Sequence, residues 1–297
     1  MPDLEVIVVD GASTDGTWDV CRRIAAADPR VRIFREAVNS GPVRGWWRCV
    51  EEARGTYATF LWSDDVLQPT FLERTVPYLA REDVGFVFTA AEVGAEPGCG
   101  KVRYAQPSRV MPSREFIEGS LAGIGTYPVS PACALFRLTD VRQSFVPELP
   151  TEPRTDLSST GAGVDQLLYL LTAVRYPYVA SISEPLAFFR SHVGSITVDG
   201  RAGRVALDYA LAGMWFATTY GYSDHAAAIL ARQWLRDMRA TRCFISPASE
   251  TGQYRDLVGA KDLAAAAITL LARRAVISGS ARIRRRDVAP VRDTKDP

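Results

Sequence analysis

Apolar and polar residues alternate in regular blocks over the first part of the chain. Residues 4–9 form a near-continuous apolar run, which is typical of a strand buried on both faces in an α/β protein. Apolar residues recur at helical spacing over 17–27 and 46–50, and short apolar runs lie at 31–34 and 57–61. This order of strand, helix, strand, helix and strand predicts parallel strands joined by right-handed crossovers.

Similar blocks continue as far as residue 198. They predict further helices at 69–79, at 113–121 and from 164, and further strands at 84–89, 132–136, 178–182 and 186–189. Residues 147–163 contain three prolines and many Ser and Thr residues, which favours a mobile active-site loop.

The pattern changes character after residue 198. Ala-rich amphipathic helices are predicted at 201–219, 224–243 and 262–277. We therefore expect an α/β domain over residues 1–199, a helical region over 200–280 and a disordered basic and polar tail over 281–297.

Composition narrows the functional class. The chain has 297 residues, 47% of them hydrophobic, and a formal net charge of +1, so nothing favours nucleic acid as a partner. Its five cysteines are scattered without paired metal spacing, as expected for reduced structural thiols. No charged-then-apolar leader is visible, and the apolar stretches 206–222 and 263–271 are too short or interrupted to span a bilayer. We expect a cytoplasmic protein, with peripheral contact to the inner face of the membrane as a further expectation.

Two adjacent carboxylates, Asp64 and Asp65, follow the apolar run at 57–61. In an open parallel sheet, ligands bind outside the carboxyl ends of the strands. Because neighbouring acids repel each other, a cation or hydrogen-bond donors would stabilise the pair. One interpretation is a metal–phosphate site, and the other is a solvated turn in which Asp64 caps the next helix.

Four short segments extend this observation. In chain order they are EVIVVDGASTDGT at residues 5–17, SDD at 63–65, GVD at 163–165 and EPLAFFRSHVGS at 184–195. Together they resemble the motifs of family 2 glycosyltransferases, and the resemblance covers about residues 4–197. It implies a GT-A-type nucleotide-diphospho-sugar transferase fold, in which a mostly parallel central sheet is flanked by helices and followed by a C-terminal helical appendage.

The resemblance also implies a reaction. An inverting, metal-dependent enzyme would move a sugar from a nucleotide-sugar donor to a hydroxyl of a glycan or lipid-linked acceptor, as in cell-surface polysaccharide biosynthesis. Asp65 would bind Mg²⁺ or Mn²⁺, and Asp64 would bind the ribose or the donor sugar. His192 would be a further metal or pyrophosphate contact, with a purely structural role as its alternative. The cation would offset the charge that develops on the departing diphosphate.

Three other residues have roles implied by their matched positions. Asp165 would be the catalytic base, and near a helix N-terminus it would stay ionised. Its alternative is a helix N-terminal charge without a catalytic role. Asp10 would lie on the nucleotide side. Arg44 would neutralise donor phosphate or, alternatively, be a solvated helix residue.

The chain departs from the family pattern in three places. Gly11 stands where many relatives carry an acid that reads the base, which leaves the nucleotide open, and Trp62 replaces the first acid of the longer metal motif. The family's first strand and helix, about 25–30 residues, are not seen ahead of residue 4. Residues 4–9 would then expose an unpaired edge. We expect restored upstream residues to raise nucleotide affinity.

Two rival functions remain open at this point. Nucleotidyltransferase chemistry would require a Gly-rich, Lys-bearing N-terminal loop, which the sequence does not show. A non-catalytic relative would bind nucleotide or a partner and would be indifferent to Asp165→Asn. The arginines at 282 and 284–286 allow either docking on anionic lipid or a solvated tail.

Overall fold

The computed structural model describes residues 3–123, 125–151, 154–192 and 202–241. The chain separates into two compact units, Met1–His225 and Ala226–Pro297. The boundary predicted at residue 199 lies outside the described residues, as do the helix predicted at 262–277 and the predicted tail.

Eight α-helices lie in the described part of the chain. They are α1 (Thr17–Ala27), α2 (Pro42–Glu52), α3 (Phe71–Leu79), α4 (Ser113–Ala122), α5 (Leu138–Ser144), α6 (Val164–Ala173), α7 (Ala202–Thr219) and α8 (Ser223–Thr241). None of these helices is both long enough and apolar enough to cross a bilayer.

Eleven strands accompany the described helices. They are β1 (Val6–Asp10), β2 (Val31–Arg35), β3 (Tyr57–Ala58), β4 (Val66–Leu67), β5 (Val84–Gly94), β6 (Lys101–Arg103), β7 (Arg109–Pro112), β8 (Ala134–Arg137), β9 (Glu148–Leu149), β10 (Thr155–Asp156) and β11 (Tyr178–Arg190). The loop expected over 147–163 therefore contains a short antiparallel pair, β9 and β10.

A seven-stranded mixed sheet forms the centre of the first unit. Its order is β3-β8-β5-β11-β4, with β6 paired to β5 and β7 paired to β11. The long strands β5 and β11 are parallel, whereas the other pairings in this sheet are antiparallel. The α/β class with flanking helices agrees with the sequence, but the sheet is mixed rather than mostly parallel.

The parallel pairing expected at the N-terminus is present only in part. β1 and β2 pair in parallel, from Val6 opposite Val31 to Asp10 opposite Arg35. They form a separate two-stranded sheet, because β3 instead pairs antiparallel with β8. In the described residues β1 therefore has a neighbour on one side only, and Val6 is 41% exposed.

β11 is one strand where two were predicted. Its pairing with β5 shifts register on both sides of Pro185. Proline cannot donate to a ladder and is tolerated at bulges, so the polar interruption in the sequence marks an irregularity within a strand. The continuous strand matters because its far end, at Arg190, reaches the acidic turn.

An aromatic core fixes the helix that carries the predicted base. Phe86 of β5, Phe116 of α4, Phe136 of β8 and Tyr169 of α6 are fully buried. The rings of Phe86 and Tyr169 lie 5.1 Å apart, and those of Phe136 and Tyr169 are also 5.1 Å apart. Edge-to-face and tilted ring pairs of this kind hold α6 firmly against the sheet.

Candidate active site

The end of β11 brings three predicted residues together. β4 follows the acidic turn directly and pairs with β11, with Phe188 opposite Val66. The backbone N–H of Arg190 consequently donates to Asp65 Oδ1 at 3.0 Å. Two residues later, His192 Nε2 lies 3.0 Å from Asp64 Oδ2. The strand pairing thus assembles a cluster of two carboxylates and an imidazole from segments 128 residues apart.

Asp65 is the buried member of this cluster. Burial raises the pKa of its carboxyl to about 6, against the lowering effect of the Arg190 N–H, and the charge of Asp64 raises it further. Asp64 and His192 are more open, with side chains 37% and 46% exposed. Burial and the neighbouring negative charge both oppose ionisation of Asp65, so a bound cation would stabilise its ionised form.

The donor types in this cluster fit a divalent cation that takes several ligands from a substrate. Carboxylate oxygens suit Mg²⁺ and Mn²⁺, imidazole suits several transition metals, and Mg²⁺ usually keeps waters or substrate phosphates in its coordination shell. Over the described residues, no group of three or more His, Cys, Asp or Glu side chains is placed to hold a metal by itself.

Asp165 lies in the first turn of α6 and is nearly buried. Its Oδ1 accepts the N–H groups of Gly163 and Gln166 at 3.0 and 2.7 Å, and its Oδ2 accepts the Tyr209 hydroxyl at 2.7 Å. Burial nevertheless raises the pKa of Asp165 to about 7, while these three bonds lower it. The expectation that the helix start keeps this carboxyl fully ionised is therefore corrected, because desolvation is the larger effect.

The charges of Asp65 and Asp165 affect the pKa values of two nearby side chains, Cys133 and Tyr104. Burial raises the pKa of Cys133 to about 12, and the charge of Asp65 adds to this rise. Burial likewise raises the pKa of Tyr104 to about 12, and Cys133 and Asp165 both contribute. Tyr104 packs against the buried cluster of Ala91, Cys133 and Ala187 and adopts a left-handed φ of 58°. Asp65 and Asp165 therefore act electrostatically on the same small neighbourhood.

Asp10 and Arg44 occupy different surroundings. The Asp10 side chain is 1% exposed, pairs with Arg35 Nε at 3.1 Å and accepts the N–H of Ser13 at 3.2 Å. Arg44 is exposed in the first turn of α2. Within the described residues neither is hydrogen-bonded to the Asp64, Asp65 and His192 cluster.

A tryptophan pair lies beside the segment that leads to Asp165. The rings of Trp46 and Trp62 are 4.6 Å apart, and Trp62 Nε1 donates to Ser130 Oγ at 3.0 Å. Trp46 also touches Gly161, whose carbonyl accepts the N–H of Asp165 at 3.3 Å. The tryptophan pair thus packs against the segment that leads to Asp165.

We predict that Gly161→Ala destabilises the protein by about 2–4 kcal/mol, the sum of left-handed strain and overpacking. Gly161 has φ +75°, and a Cβ there would stand 2.1 Å from the Trp46 ring. Chemical unfolding measures the loss. Gly125→Ala is the matched control, because Gly125 has φ +71° with nothing within 4 Å of the added Cβ. Equal losses in the two variants would show that the ring contact is unimportant.

Three residues of this site have no role that the sequence alone predicts. Arg190 lies inside the motif at 184–195, but only the strand pairing shows that its backbone N–H holds Asp65. Tyr104 lies in a segment without clear periodicity. Tyr209 lies beyond residue 199, where the sequence shows no motif.

The fold belongs to the GT-A glycosyltransferases. The crystal structure of S. aureus TarS 1–349 in complex with UDP-GlcNAc matches with a TM-score of 0.59 at 16% identity, covering 89% of this chain and 71% of that one. The complex of the same protein with UDP matches with a TM-score of 0.54 at 16% identity, covering 88% and 68%. The predicted fold class is confirmed.

Sequence comparison relates the N-terminal part of the chain to a known family. Residues 1–145 match the model of Glycosyl transferase family 2. A Bacillus subtilis (strain 168) protein provisionally named teichuronic acid biosynthesis glycosyltransferase TuaG is 33% identical over 97 residues, 33% of this chain and 38% of that protein. The Escherichia coli UDP-Glc:alpha-D-GlcNAc-diphosphoundecaprenol beta-1,3-glucosyltransferase WfaP is 29% identical over 87 residues, 29% of this chain and 34% of that protein.

These matches cover the first 145 of the 297 residues and agree with the family that the motifs predict. The matched segments span only 38% and 34% of the lengths of TuaG and WfaP.

Proposed function

We propose that the chain transfers a sugar from a nucleotide-sugar donor to an acceptor hydroxyl, with inversion and with the help of a divalent cation. The observation that carries this proposal is the placement of Asp165, a buried carboxyl at the start of α6 that is held by three hydrogen-bond donors and whose pKa is raised by burial to about 7. A general base works best when its pKa is near the working pH. The neighbourhood that it shares with Asp65 supports a common reaction site.

On the donor side, the cluster of Asp64, Asp65 and His192 would hold Mg²⁺ or Mn²⁺. The motifs assign Asp65 and His192 to the metal, and we add Asp64 because it lies close to His192. The bound cation would offset the negative charge that develops on the departing diphosphate. Asp10, neutralised by Arg35, would shape the turn on the nucleotide side, and exposed Arg44 would attract donor phosphate.

On the acceptor side, Asp165 would take a proton from the attacking hydroxyl. The acceptor oxygen then bonds to the anomeric carbon as the bond from that carbon to the diphosphate oxygen breaks. The electron pair of the broken bond leaves with the nucleoside diphosphate, and the proton stays on Asp165. A single displacement of this kind inverts the anomeric configuration.

The names of similar proteins support a substrate class. The TarS structures contain UDP-GlcNAc or UDP, and the name of WfaP specifies a UDP-glucose donor and a diphosphoundecaprenol-linked acceptor. TuaG is named for teichuronic acid biosynthesis. By analogy we propose a UDP-sugar donor and a glycan or lipid-linked acceptor in surface polysaccharide synthesis, used in the cytoplasm at the inner face of the membrane.

A donor screen tests the function. UDP-sugars and GDP-sugars are incubated with the protein and Mn²⁺, and release of the nucleoside diphosphate is measured with and without EDTA. We expect turnover of at least one UDP-sugar, suppressed by EDTA. Calorimetric heat of UDP binding without turnover of any donor would favour the binding-module alternative. The anomeric configuration of the product, read by NMR, tests inversion.

A further inference from the structure

Helix α7 holds the segment that leads to Asp165 at several points. Thr160 Oγ1 donates to Asp208 Oδ2 at 2.6 Å, and Arg204 Nε lies 2.8 Å from Asp208 Oδ1. Arg204 Nη2 also donates to the carbonyl of Asp156 at 3.3 Å. Because Asp208 is fully buried, its ion pair with Arg204 and its hydrogen bond with Thr160 hold the segment firmly against α7.

The backbone of the same segment approaches α7 too closely for a side chain. A Cβ at Gly163 would stand 2.9 Å from the Cβ of Ala212 and 3.0 Å from the carbonyl oxygen of Asp208. Gly163 also has φ +90°, which an L side chain rarely adopts. Glycine at this position therefore permits the contact that brings Tyr209 to Asp165.

Tyr209 completes the coordination of the Asp165 carboxylate. An ionised carboxylate offers about four acceptor sites on its two oxygens. Oδ1 accepts two backbone N–H groups, and Oδ2 accepts the Tyr209 hydroxyl at 2.7 Å. These three donors leave one acceptor site, on Oδ2. The position of the Tyr209 hydroxyl determines which of the two lone pairs of Oδ2 stays available.

We infer that Tyr209 is a positioning residue for the general base, and that α7 is therefore a working part of the active site. This inference rests on the proposed function, in which Asp165 accepts the proton of the acceptor hydroxyl. By donating to Oδ2, Tyr209 fixes the direction of the remaining lone pair and stabilises the ionised form of Asp165. The helix lies in the region for which the sequence predicted only an appendage.

Hydrogen bonds stabilise the ionised form of Asp165. The charge of Asp165 acts on Tyr209 of α7, on Tyr104 after β6 and on Tyr169 of α6 itself. Asp208 acts in turn on Tyr209, and Cys133 acts on Tyr104 and Tyr169. Burial raises the pKa of Tyr209 and Tyr169 well above the usual range, so both are neutral donors at neutral pH. Removing the Tyr209 hydroxyl should consequently raise the pKa of Asp165.

Tyr209→Phe tests the inference, because it removes the hydroxyl and keeps the ring. Two measurements are made on the full chain: the pKa of the Asp165 carboxyl by ¹³C NMR, assigned by its absence in Asp165→Asn, and the pH profile of transfer with a UDP-sugar and Mn²⁺. We expect the pKa and the acid limb of the profile to move up by about one unit, since a hydrogen bond to a charged group has about that worth. At pH 7 this lowers kcat about fivefold, whereas at pH 9 the variant recovers nearly to wild type and the donor KM is unchanged.

The matched control is Tyr220→Phe, the same substitution at a tyrosine that is 42% exposed just beyond the end of α7. It should leave both the carboxyl pKa and the profile where they are. Coincident pKa values and profiles for Tyr209→Phe and wild type would overturn the inference, as would a kcat loss that is equal at every pH. A raised carboxyl pKa in a chain that turns over no donor would instead uphold the contact and reject the proposed function.

Discussion

Replacement of Asp165 by asparagine is expected to lower the transfer rate about 10³-fold without unfolding the protein. Asparagine cannot take the proton of an acceptor hydroxyl. It can still accept the N–H groups of Gly163 and Gln166 through Oδ1, and its amide can donate to the oxygen of Tyr209. The rate is measured as release of nucleoside diphosphate that depends on acceptor, and the fold is followed by circular dichroism.

The same variant has a stability that depends on pH in a defined direction. The pKa of Asp165 is about 7 in the folded chain and about 3.8 in an ordinary carboxyl. Wild type therefore loses stability as the pH rises from about 4 to about 7, because only the unfolded chain ionises freely in that range. Asparagine does not titrate, so the thermal stability of Asp165→Asn relative to wild type should increase between these pH values.

Asp224→Asn is the control for both measurements. Asp224 is also an acid in the first turn of a helix, α8, but its side chain is exposed. If Asp165 served only as a helix N-terminal charge, the two variants would lose a similar, small amount of stability and keep their activity. If the Asp165→Asn protein retained transfer activity, Asp165 could not be the catalytic base.

Local patterns predicted those elements whose burial is decided nearby. The strands β1 and β2 and the helices α1 and α2 follow from apolar spacing, and β1 and β2 pair in parallel as expected. The position of β3 could not be predicted in this way. It contains only Tyr57–Ala58, and its antiparallel partner is β8, about 80 residues further along the chain.

Part of the candidate site could likewise be predicted from the sequence, and part could not. Adjacent acids and a histidine could be found from motifs, and strand pairing joins them as a cluster. The environment of Asp165 could not be found, because its raised pKa depends on burial, and burial depends on which elements pack around it. Tyr209 reaches Asp165 across 44 residues of sequence, and a helical tyrosine has no local mark of that contact.

The second large effect is expected at the acidic turn. We predict that Asp65→Ala lowers Mn²⁺-dependent transfer about 10³-fold, since a cation on a departing diphosphate contributes several kcal/mol. Asp65 is held by the Arg190 N–H at the point where β11 meets the turn, so the variant removes the buried carboxylate of the cluster. His192→Ala should lower transfer in the same assay by a smaller factor, because its imidazole is nearly half exposed.

The dependence on cation distinguishes this loss from general damage. In wild type, transfer should rise with Mn²⁺ and fall to a basal rate in EDTA, whereas in Asp65→Ala it should stay near that basal rate at every Mn²⁺ concentration. Asp83→Ala serves as the matched control, because its carboxylate pairs with Arg81 on an exposed surface and should leave the Mn²⁺ response unchanged. If Asp65→Ala kept a wild-type Mn²⁺ response, the cluster could not be the cation site. The sugar donor would then have to be bound by other residues, and the shared neighbourhood of Asp65 and Asp165 would no longer support a common reaction site.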